Sequence, residues 1–310
     1  MSRRVLITGS SGFIGGQVTA RALAEPTVDI RLVRHRSTPP VTVSDAGRAR
    51  VEIARADMSD PATVEGLCRG VDAVVHCASL IEGDEEELRR TNDLGTAALV
   101  AEAARSGVRR FVYVSTAAVH GRGPFDRAEP GAPPVRPASA TSRSRAAAER
   151  HVLAASGTVL RPHLVYGAGD RWVVPGLVHL IRRLGGIVDC PSVHSAVEVG
   201  ALARAAWAAA LFEGDLAGAH HVSHPDPLPV SALMELIREE TGGAAGPALT
   251  LERARELVAD EPLLRHHLEM LAVDHWFDSD PIWELPDLDP GPAPLDGLRQ
   301  VMPYYRSLLG

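Results

Sequence analysis

Mostly apolar runs of three to five residues alternate with alanine-rich stretches over the first 165 residues of the chain. Six runs predict short buried strands: Val5–Thr8, Ile30–Val33, Val51–Ala54, Ala73–Cys77, Phe111–Ser115 and Thr158–Leu160. The stretches between them predict helices: Gln17–Ala24, Ala62–Cys68, Glu85–Arg105 and Arg143–Ala155. Apolar strands that alternate with helices are typical of a parallel sheet with helices on both faces.

The pattern changes beyond Gly167, where prolines become more frequent and we expect fewer helices. We therefore predict two unequal parts. The larger is a Rossmann-type, doubly wound α/β domain over residues 1–166, completed by residues 187–224. The smaller is a C-terminal substrate-capping domain made of residues 167–186 and 225–310.

A glycine-rich loop follows the first predicted strand and opens the first predicted helix. Gly9, Gly12 and Gly15 have the spacing G-x-x-G-x-x-G, and Ser11, Phe13 and Ile14 lie between them. Such a loop allows a tight turn, lets the backbone approach a pyrophosphate, and places the phosphate at a helix N-terminus. Between a strand and a helix, it predicts a dinucleotide-binding site.

The end of the second predicted strand indicates which dinucleotide is bound. An NAD-binding protein usually carries Asp or Glu there, whereas this chain has Arg34, His35 and Arg36. Arginine suits the 2′-phosphate of NADPH, because a guanidinium can make a bidentate charge-assisted contact with it. Solvated surface arginines are the alternative. We further expect Asp57 and Met58 beside the adenine, and Cys77, Ala78 and Ser79 beside the ribose.

Composition narrows the partners and the compartment. Apolar residues make up 45% of the chain and charged residues 23%, and the net charge of −7 argues against nucleic acid or an anionic membrane. The first strand begins near the N-terminus and Cys68, Cys77 and Cys190 are far apart, so we expect no signal peptide and a reduced, cytoplasmic protein. Strand alternation within His220–His224 gives no reason to expect a metal site.

The chain contains no lysine, because its 32 basic residues are all arginine. Chemistry that needs a lysine ammonium or a Schiff base is therefore excluded. Only four tyrosines are present, at positions 113, 166, 304 and 305.

Five segments in order carry a family resemblance: Thr8–Gly15, Val75–Ala78, Asn92–Thr96, Phe111–Gly121 and Leu160–Gly167. With them, the chain resembles the extended short-chain dehydrogenase/reductase family, also described as NAD-dependent epimerase/dehydratase-like proteins. In that family a Ser or Thr, a Tyr and a Lys carry the chemistry, and the last two are spaced Y-x-x-x-K. Thr116 matches the first position, but Thr141 and Arg145 stand where the Tyr and the Lys are expected.

The resemblance implies only orienting roles for Thr116, Thr141 and Arg145. Arg145 can bind ribose hydroxyls, but its permanently protonated guanidinium cannot cycle protons. The resemblance further places Ser115, Pro162, His163 and Leu164 at the cofactor. It places Thr116, His120, Thr141, Tyr166 and Trp172 at the substrate.

Three functions fit these features. The first is an NADPH-dependent ketoreductase that acts on a polycyclic aromatic ketone of a secondary metabolite and relies on substrate-assisted proton transfer. The second is an NADP-binding sensor or scaffold without catalysis, and the third is a sugar-nucleotide epimerase or dehydratase. A tyrosine base is usual in the third class, so its absence disfavours that function. The oligomeric state stays open.

Overall fold

A seven-stranded parallel sheet forms the centre of the molecule. The computed structural model describes residues 3–35, 50–242 and 246–309. In chain order the strands of this sheet are β1 (Arg3–Thr8), β2 (Val28–Arg34), β3 (Val51–Arg55), β4 (Ala73–His76), β5 (Arg110–Val114), β7 (Thr158–Arg161) and β11 (Gly218–His221). Their spatial order is β3-β2-β1-β4-β5-β7-β11, and every neighbouring pair is parallel. The predicted Rossmann-type α/β fold is confirmed.

Helices cover both faces of this sheet, because its strands carry apolar side chains on both faces and these are buried against helices. In chain order, the α-helices of the described residues, including those outside the sheet, are α1 (Phe13–Leu23), α2 (Glu85–Leu88), α3 (Gly95–Arg105), α4 (Ala140–Ala154), α5 (Val173–Leu184), α6 (Val199–Leu211), α7 (Val230–Glu240), α8 (Leu251–Leu257), α9 (Pro262–Leu271), α10 (Asp280–Trp283) and α11 (Pro294–Leu309). Val5 and Ile7 of β1 pack in one cluster with α1 and α6. Leu6 packs in the other cluster, with α3 and α4.

The strand order reverses at β1, which has β2 on one side and β4 on the other. A crevice forms outside the carboxyl ends of the strands at such a switch point, and ligands of open α/β sheets bind there. The glycine-rich loop follows β1, so the sheet topology places it at this crevice.

One predicted helix is wrong. Residues 62–68 hold only a short 3₁₀ helix, Pro61–Val64, which the Asp60 side chain caps by accepting from the Ala62 N–H. Gly66 and Gly70 have φ of +80° and +65°, a conformation that does not continue a helix. By contrast, α2 and α3 are joined through a π-helical segment, Arg89–Leu94, and span the predicted helix at residues 85–105.

The chain beyond Gly167 is richer in helix than we expected, since α5 to α11 all lie there. Helices α5, α7, α9 and α11 enclose a separate apolar cluster. Two small sheets complete the structure: β12 (Leu228–Pro229), β9 (Val193–His194), β13 (His275–Phe277) and β6 (Phe125–Ala128) in that order, and β10 (Ala196–Glu198) beside β8 (Leu164–Tyr166). Within the described residues, no helix is both long and apolar enough to cross a membrane.

Candidate active site

The glycine-rich loop is packed so closely that two of its glycines cannot carry a side chain. Gly9 has φ of +67°, and a Cβ there would lie 2.7 Å from the Ala78 backbone nitrogen. A Cβ on Gly15 would lie 2.1 Å from the Gly9 carbonyl oxygen. The loop is closed by the Gly12 N–H, which donates to the Gly9 oxygen at 2.9 Å. These contacts give the tight turn and the close helix–strand packing of a dinucleotide-binding loop.

The N-terminus of α1 is suited to an anion. Gly12 caps the helix without a side-chain hydrogen bond, and the first turn contains no acidic residue. The N–H groups and the positive end of the helix dipole are therefore not neutralised by a carboxylate. A dinucleotide phosphate fits this position.

The loop opens into a cleft of about 640 Å³ at the switch point. Its lining includes nine residues predicted to bind the cofactor: Gly9, Ser11, Gly12, His35, Asp57, Met58, Cys77, Ala78 and Ser79. Glu82, Glu87, Arg90 and Thr91 also line it and were not predicted. The last two lie on the π-helical segment, a feature that often occurs at functional sites.

The predicted 2′-phosphate site is only partly described. Arg34 ends β2, and Arg36 lies outside the described residues. His35 reaches Asp57, with 3.0 Å between its Nε2 and a carboxylate oxygen. The other Asp57 oxygen accepts from the Ser59 backbone N–H at 2.9 Å, which fixes the turn after β3.

A buried histidine, His76, connects the strands whose ends line the cleft. His76 Nδ1 lies 2.6 Å from the Thr8 hydroxyl and its Nε2 lies 2.9 Å from the Thr96 hydroxyl. The Thr8 hydroxyl also accepts from the Ala78 N–H at 3.1 Å, so the ends of β1 and β4 are held together. Burial, aided by the nearby Arg145 charge, lowers the pKa of His76 to about 3, and the imidazole stays neutral.

Asn92 is a positioning residue that residue types alone did not identify. Its Oδ1 accepts from the Leu80 N–H at 2.7 Å, and its Nδ2 donates to the Leu80 carbonyl at 2.8 Å. Nδ2 also donates to the Ser144 hydroxyl at 2.9 Å. Asn92 thus holds the loop after β4 against α4. The only signal in the sequence was its place in the segment 92–96.

The positions of the expected Ser/Thr, Tyr and Lys lie around the carboxyl end of β5. The Thr116 hydroxyl accepts from the Ala118 N–H at 3.2 Å, which leaves its hydrogen to donate. The Thr141 hydroxyl donates to the Ile81 carbonyl at 3.1 Å. The Arg145 guanidinium donates to the Val114 carbonyl at 2.7 Å, and its buried Nε has no hydrogen-bond partner among the described residues.

A buried charged pair lies beneath this turn. Glu149 of α4 and Arg161 of β7 are joined at 2.6 Å and are almost fully buried. The Ser115 hydroxyl donates to Glu149 at 2.5 Å, and Arg161 lies 3.4 Å from His120 Nε2. His120 Nε2 in turn lies 3.1 Å from His221 Nε2.

Three of our site predictions need correction. The Ser115 side chain binds Glu149 in the interior, so it does not face the cofactor. His120 is 3% exposed and belongs to the same network, so it does not face the substrate. Tyr166 is packed in the C-terminal apolar cluster, where a Cβ on Gly297 would lie 2.3 Å from its hydroxyl. A buried polar network satisfies the first two side chains, and apolar packing encloses the third.

The chain after β8 folds back over the glycine-rich loop. A Cβ on Gly169 would lie 3.0 Å from the ring of Phe13. The Asp170 carboxylate accepts from the first N–H groups of α5, and the Tyr305 hydroxyl donates to it at 3.0 Å. Trp172 follows on the surface, 54% exposed. This segment connects the surroundings of the predicted cofactor residue Phe13 with the predicted substrate residue Trp172.

Residues 5–191 match the NAD dependent epimerase/dehydratase family, which is more than half of the chain. The chain belongs to that family. With the reductase relatives described below, it is an NAD(P)-dependent oxidoreductase of this family. The matched residues run from β1 to the loop before β9, and they contain the glycine-rich loop, the cleft and the turn after β5.

Similar proteins include reductases. The chain is 28% identical to the 2-alkyl-3-oxoalkanoate reductase of Stenotrophomonas maltophilia, over 90% of this chain and 92% of that protein. It is 29% identical to the 4-hydroxy-2-methyl-3-oxo-4-farnesyl-3,4-dihydroquinoline-1-oxide ketoreductase of Stigmatella aurantiaca, over 58% and 55% of the two chains. The structure of Bordetella bronchiseptica WbmH in complex with NAD+ is similar with a TM-score of 0.77, at 22% identity and full coverage of both chains.

The family's dinucleotide agrees with the geometry of this chain. Gly9 and Gly15 allow the tight turn and the close packing of α1 against the loop, and the N-terminus of α1 offers N–H groups that no carboxylate in its first turn neutralises. The hydrogen bonds of Thr8 and His76 fix the ends of β1 and β4, and Asn92 fixes the loop after β4. These residues fit an NAD(P) dinucleotide with its pyrophosphate at α1.

Proposed function

We propose that the protein is an NADPH-dependent ketoreductase that reduces a carbonyl of an aromatic, polyketide-type secondary metabolite. One observation carries the proposal: Thr141 and Arg145 of α4 stand where the family's tyrosine and lysine are expected, and they bind the carbonyls of Ile81, after β4, and Val114, at the end of β5. A reductase can work with these two side chains if its substrate supplies the missing hydrogen bond.

The preference for NADPH rests on charge at the end of β2. Arg34 and His35 follow one another there, and neither is acidic. A guanidinium can bind the 2′-phosphate through two charge-assisted hydrogen bonds, whereas an acidic residue would repel it. Asp57 is engaged by His35 and by the turn after β3.

The bound dinucleotide would supply a hydride, and the protein supplies position and electrostatics. Thr116 donates a hydrogen bond to the substrate oxygen, because its own hydroxyl accepts from Ala118 and its hydrogen is available. Thr141 would first have to leave the Ile81 carbonyl. Arg145 stays protonated and orients the ribose.

None of these three groups is suited to deliver a proton at neutral pH. A phenol beside the ketone solves this problem within the substrate, since it is already oriented toward the oxygen that becomes negative. The proton is then regained from water. Reductases among the similar proteins support this reaction class, and one of them is named for a ketone on a quinoline. Because it lacks this tyrosine, the chain also resembles the ketoreductase of simocyclinone biosynthesis.

The test compares one polycyclic aromatic ketone with a free adjacent phenol and the same ketone with that phenol methylated. Oxidation of NADPH and of NADH is followed with each compound at saturating concentration. We expect the ketone with the free phenol to be reduced about 100-fold faster than the methylated ketone. This factor lies within the range of about 10²–10⁴ that a positioned general acid contributes. We expect NADPH to act at lower concentration than NADH, and Arg34→Ala to remove that difference.

Equal rates with the two ketones would place the proton donor in the protein and contradict substrate assistance. NADPH binding without oxidation of the cofactor by any aromatic ketone would favour the sensor or scaffold function instead.

A further inference from the structure

Three imidazoles from distant parts of the chain meet beside the candidate active site. His163 follows β7, His194 lies in β9 and His275 lies in β13. One ring nitrogen from each lies within 4.8 Å of the other two, and His163 Nε2 is 3.0 Å from His194 Nδ1. The three ring centres are 5.1, 5.1 and 5.0 Å apart.

This nearly equilateral triangle has the dimensions of a metal site. With a zinc–nitrogen distance of about 2.0–2.1 Å, tetrahedral geometry puts imidazole ring centres about 5 Å apart. A hydrogen bond between His163 and His194 accounts for one side of the triangle. It gives no reason for His275 to complete the other two sides at the same distance.

The hydrogen bonds made by His275 favour ligation. His275 Nδ1 lies 3.0 Å from the Val273 carbonyl and donates to it, which leaves a lone pair on Nε2. That lone pair accepts only a long contact, 3.3 Å, from the Gly123 N–H. A ligating histidine typically donates its other N–H to a carbonyl in this way.

We propose that His163, His194 and His275 form a binding site for a divalent transition metal of the zinc class. The site departs from our expectation that the protein has no metal centre, because its ligands are too far apart in sequence to form a motif. No acidic, cysteine or further histidine side chain completes this group within the described part of the chain. Three protein ligands leave the fourth position to water or another small ligand.

The least buried of the three histidines adjoins the turn after β5. His194 and His275 are buried, whereas His163 is partly exposed. The carbonyl of Pro162, the preceding residue, accepts from the Ala117 N–H at 2.8 Å, so His163 adjoins the turn that carries Thr116. A bound metal would also tie the end of β7 to the four-stranded sheet.

The experiment measures metal in the full chain after removal with EDTA and dialysis against Zn²⁺ or Co²⁺. We expect one metal per chain by elemental analysis, and the intense visible absorption of four-coordinate Co²⁺. His163→Gln, which changes the exposed ligand, should weaken binding at least about 100-fold, since loss of an outer-shell partner alone costs 10–100-fold. Circular dichroism and urea unfolding report whether each variant is folded.

The double variant His266→Gln, His267→Gln is the matched control, because it removes two neighbouring imidazoles on α9, outside the cluster. It should keep full metal content. The proposal is wrong if the folded wild-type chain takes up no metal at micromolar Zn²⁺. It is also wrong if His163→Gln and His275→Gln, both folded, keep the Co²⁺ spectrum of the wild type. Neither outcome depends on reductase activity.

Discussion

Two adjacent glycines at the start of α1 differ sharply in what surrounds them. A Cβ on Gly15 would lie 2.1 Å from the Gly9 carbonyl oxygen, inside the glycine-rich loop. A Cβ on Gly16 would find its nearest neighbour, the Ser10 oxygen, at 3.8 Å, an ordinary contact. The spacing of the glycines predicted the loop, but only the packing separates the essential glycine from the dispensable one.

We expect Gly15→Ala to abolish dinucleotide binding, because the clash is with backbone and the loop must move. Gly16→Ala should bind normally and gain up to about 1 kcal/mol of stability, since alanine favours a helix over glycine. Fluorescence titration with NADPH and urea unfolding measure the two effects. Similar binding by both variants would show that the pyrophosphate does not depend on this approach of α1 to the loop.

The site residues show how far residue types can predict geometry. Thr116, Thr141 and Arg145 were located in the sequence, but the partners of the last two, the Ile81 and Val114 carbonyls, were not. Those bonds join segments that are distant in sequence, so no local pattern encodes them. For the same reason Ser115 was assigned to the cofactor, although its hydroxyl binds Glu149.

At the scale of elements, α4 and β7 are joined by the buried pair Glu149–Arg161. Removing one partner of a buried pair leaves an uncompensated charge, which typically costs about 3–5 kcal/mol. We expect Arg161→Met to lower the free energy of unfolding by about that amount and to disturb the turn after β5, since Ser115 donates to Glu149. Urea denaturation of the purified protein measures the change.

The matched control for this pair is Arg89→Met, which breaks an exposed ion pair with Glu86. An exposed pair contributes little, because water screens the charges and both side chains lose freedom when they pair, so this variant should be nearly as stable as the wild type. If Arg161→Met were equally harmless, water or another group would have to compensate Glu149 in the interior.

The large elements were predictable and the small ones were not. Five of the six predicted strands of the central sheet are mainly buried apolar runs, and burial on both faces makes such runs visible in a sequence; the edge strand β3 is the exception. Strands β6, β9, β12 and β13 have two to four residues each, and their pairings join residues 34, 81 and 150 positions apart. Their register depends on tertiary contacts, so their short sequences carry no period that reveals them.

At the scale of the whole molecule, buried neutral histidines link stability to pH. His76 is braced between two threonines, and His120 and His221 face one another across 3.1 Å with Arg161 nearby. Burial is the main cause that lowers the pKa of all three, to about 3 for His76 and His221, and the nearby arginine charges add to it. The native state therefore resists protonation that the unfolded chain accepts.

The sign of the effect follows from these directions. Each imidazole titrates near pH 6.5 in the unfolded chain and at lower pH in the folded protein, so its stabilising contribution is complete above pH 6.5. Below that pH the unfolded state binds more protons, and the free energy of unfolding falls by about 1.4 kcal/mol per pH unit for each such group.

We expect the free energy of unfolding to decline steeply from pH 6.5 toward pH 4. The measurement is made in EDTA, so that loss of metal does not contribute. Urea unfolding at half-unit steps of pH measures the slope. His221→Gln should reduce that slope by about one group's share, whatever its effect on stability at pH 7.5, because glutamine does not titrate. A constant free energy of unfolding between pH 7 and pH 5 would mean that these imidazoles accept protons in the native state, and the network around Arg161 would then have to rearrange to admit the charge.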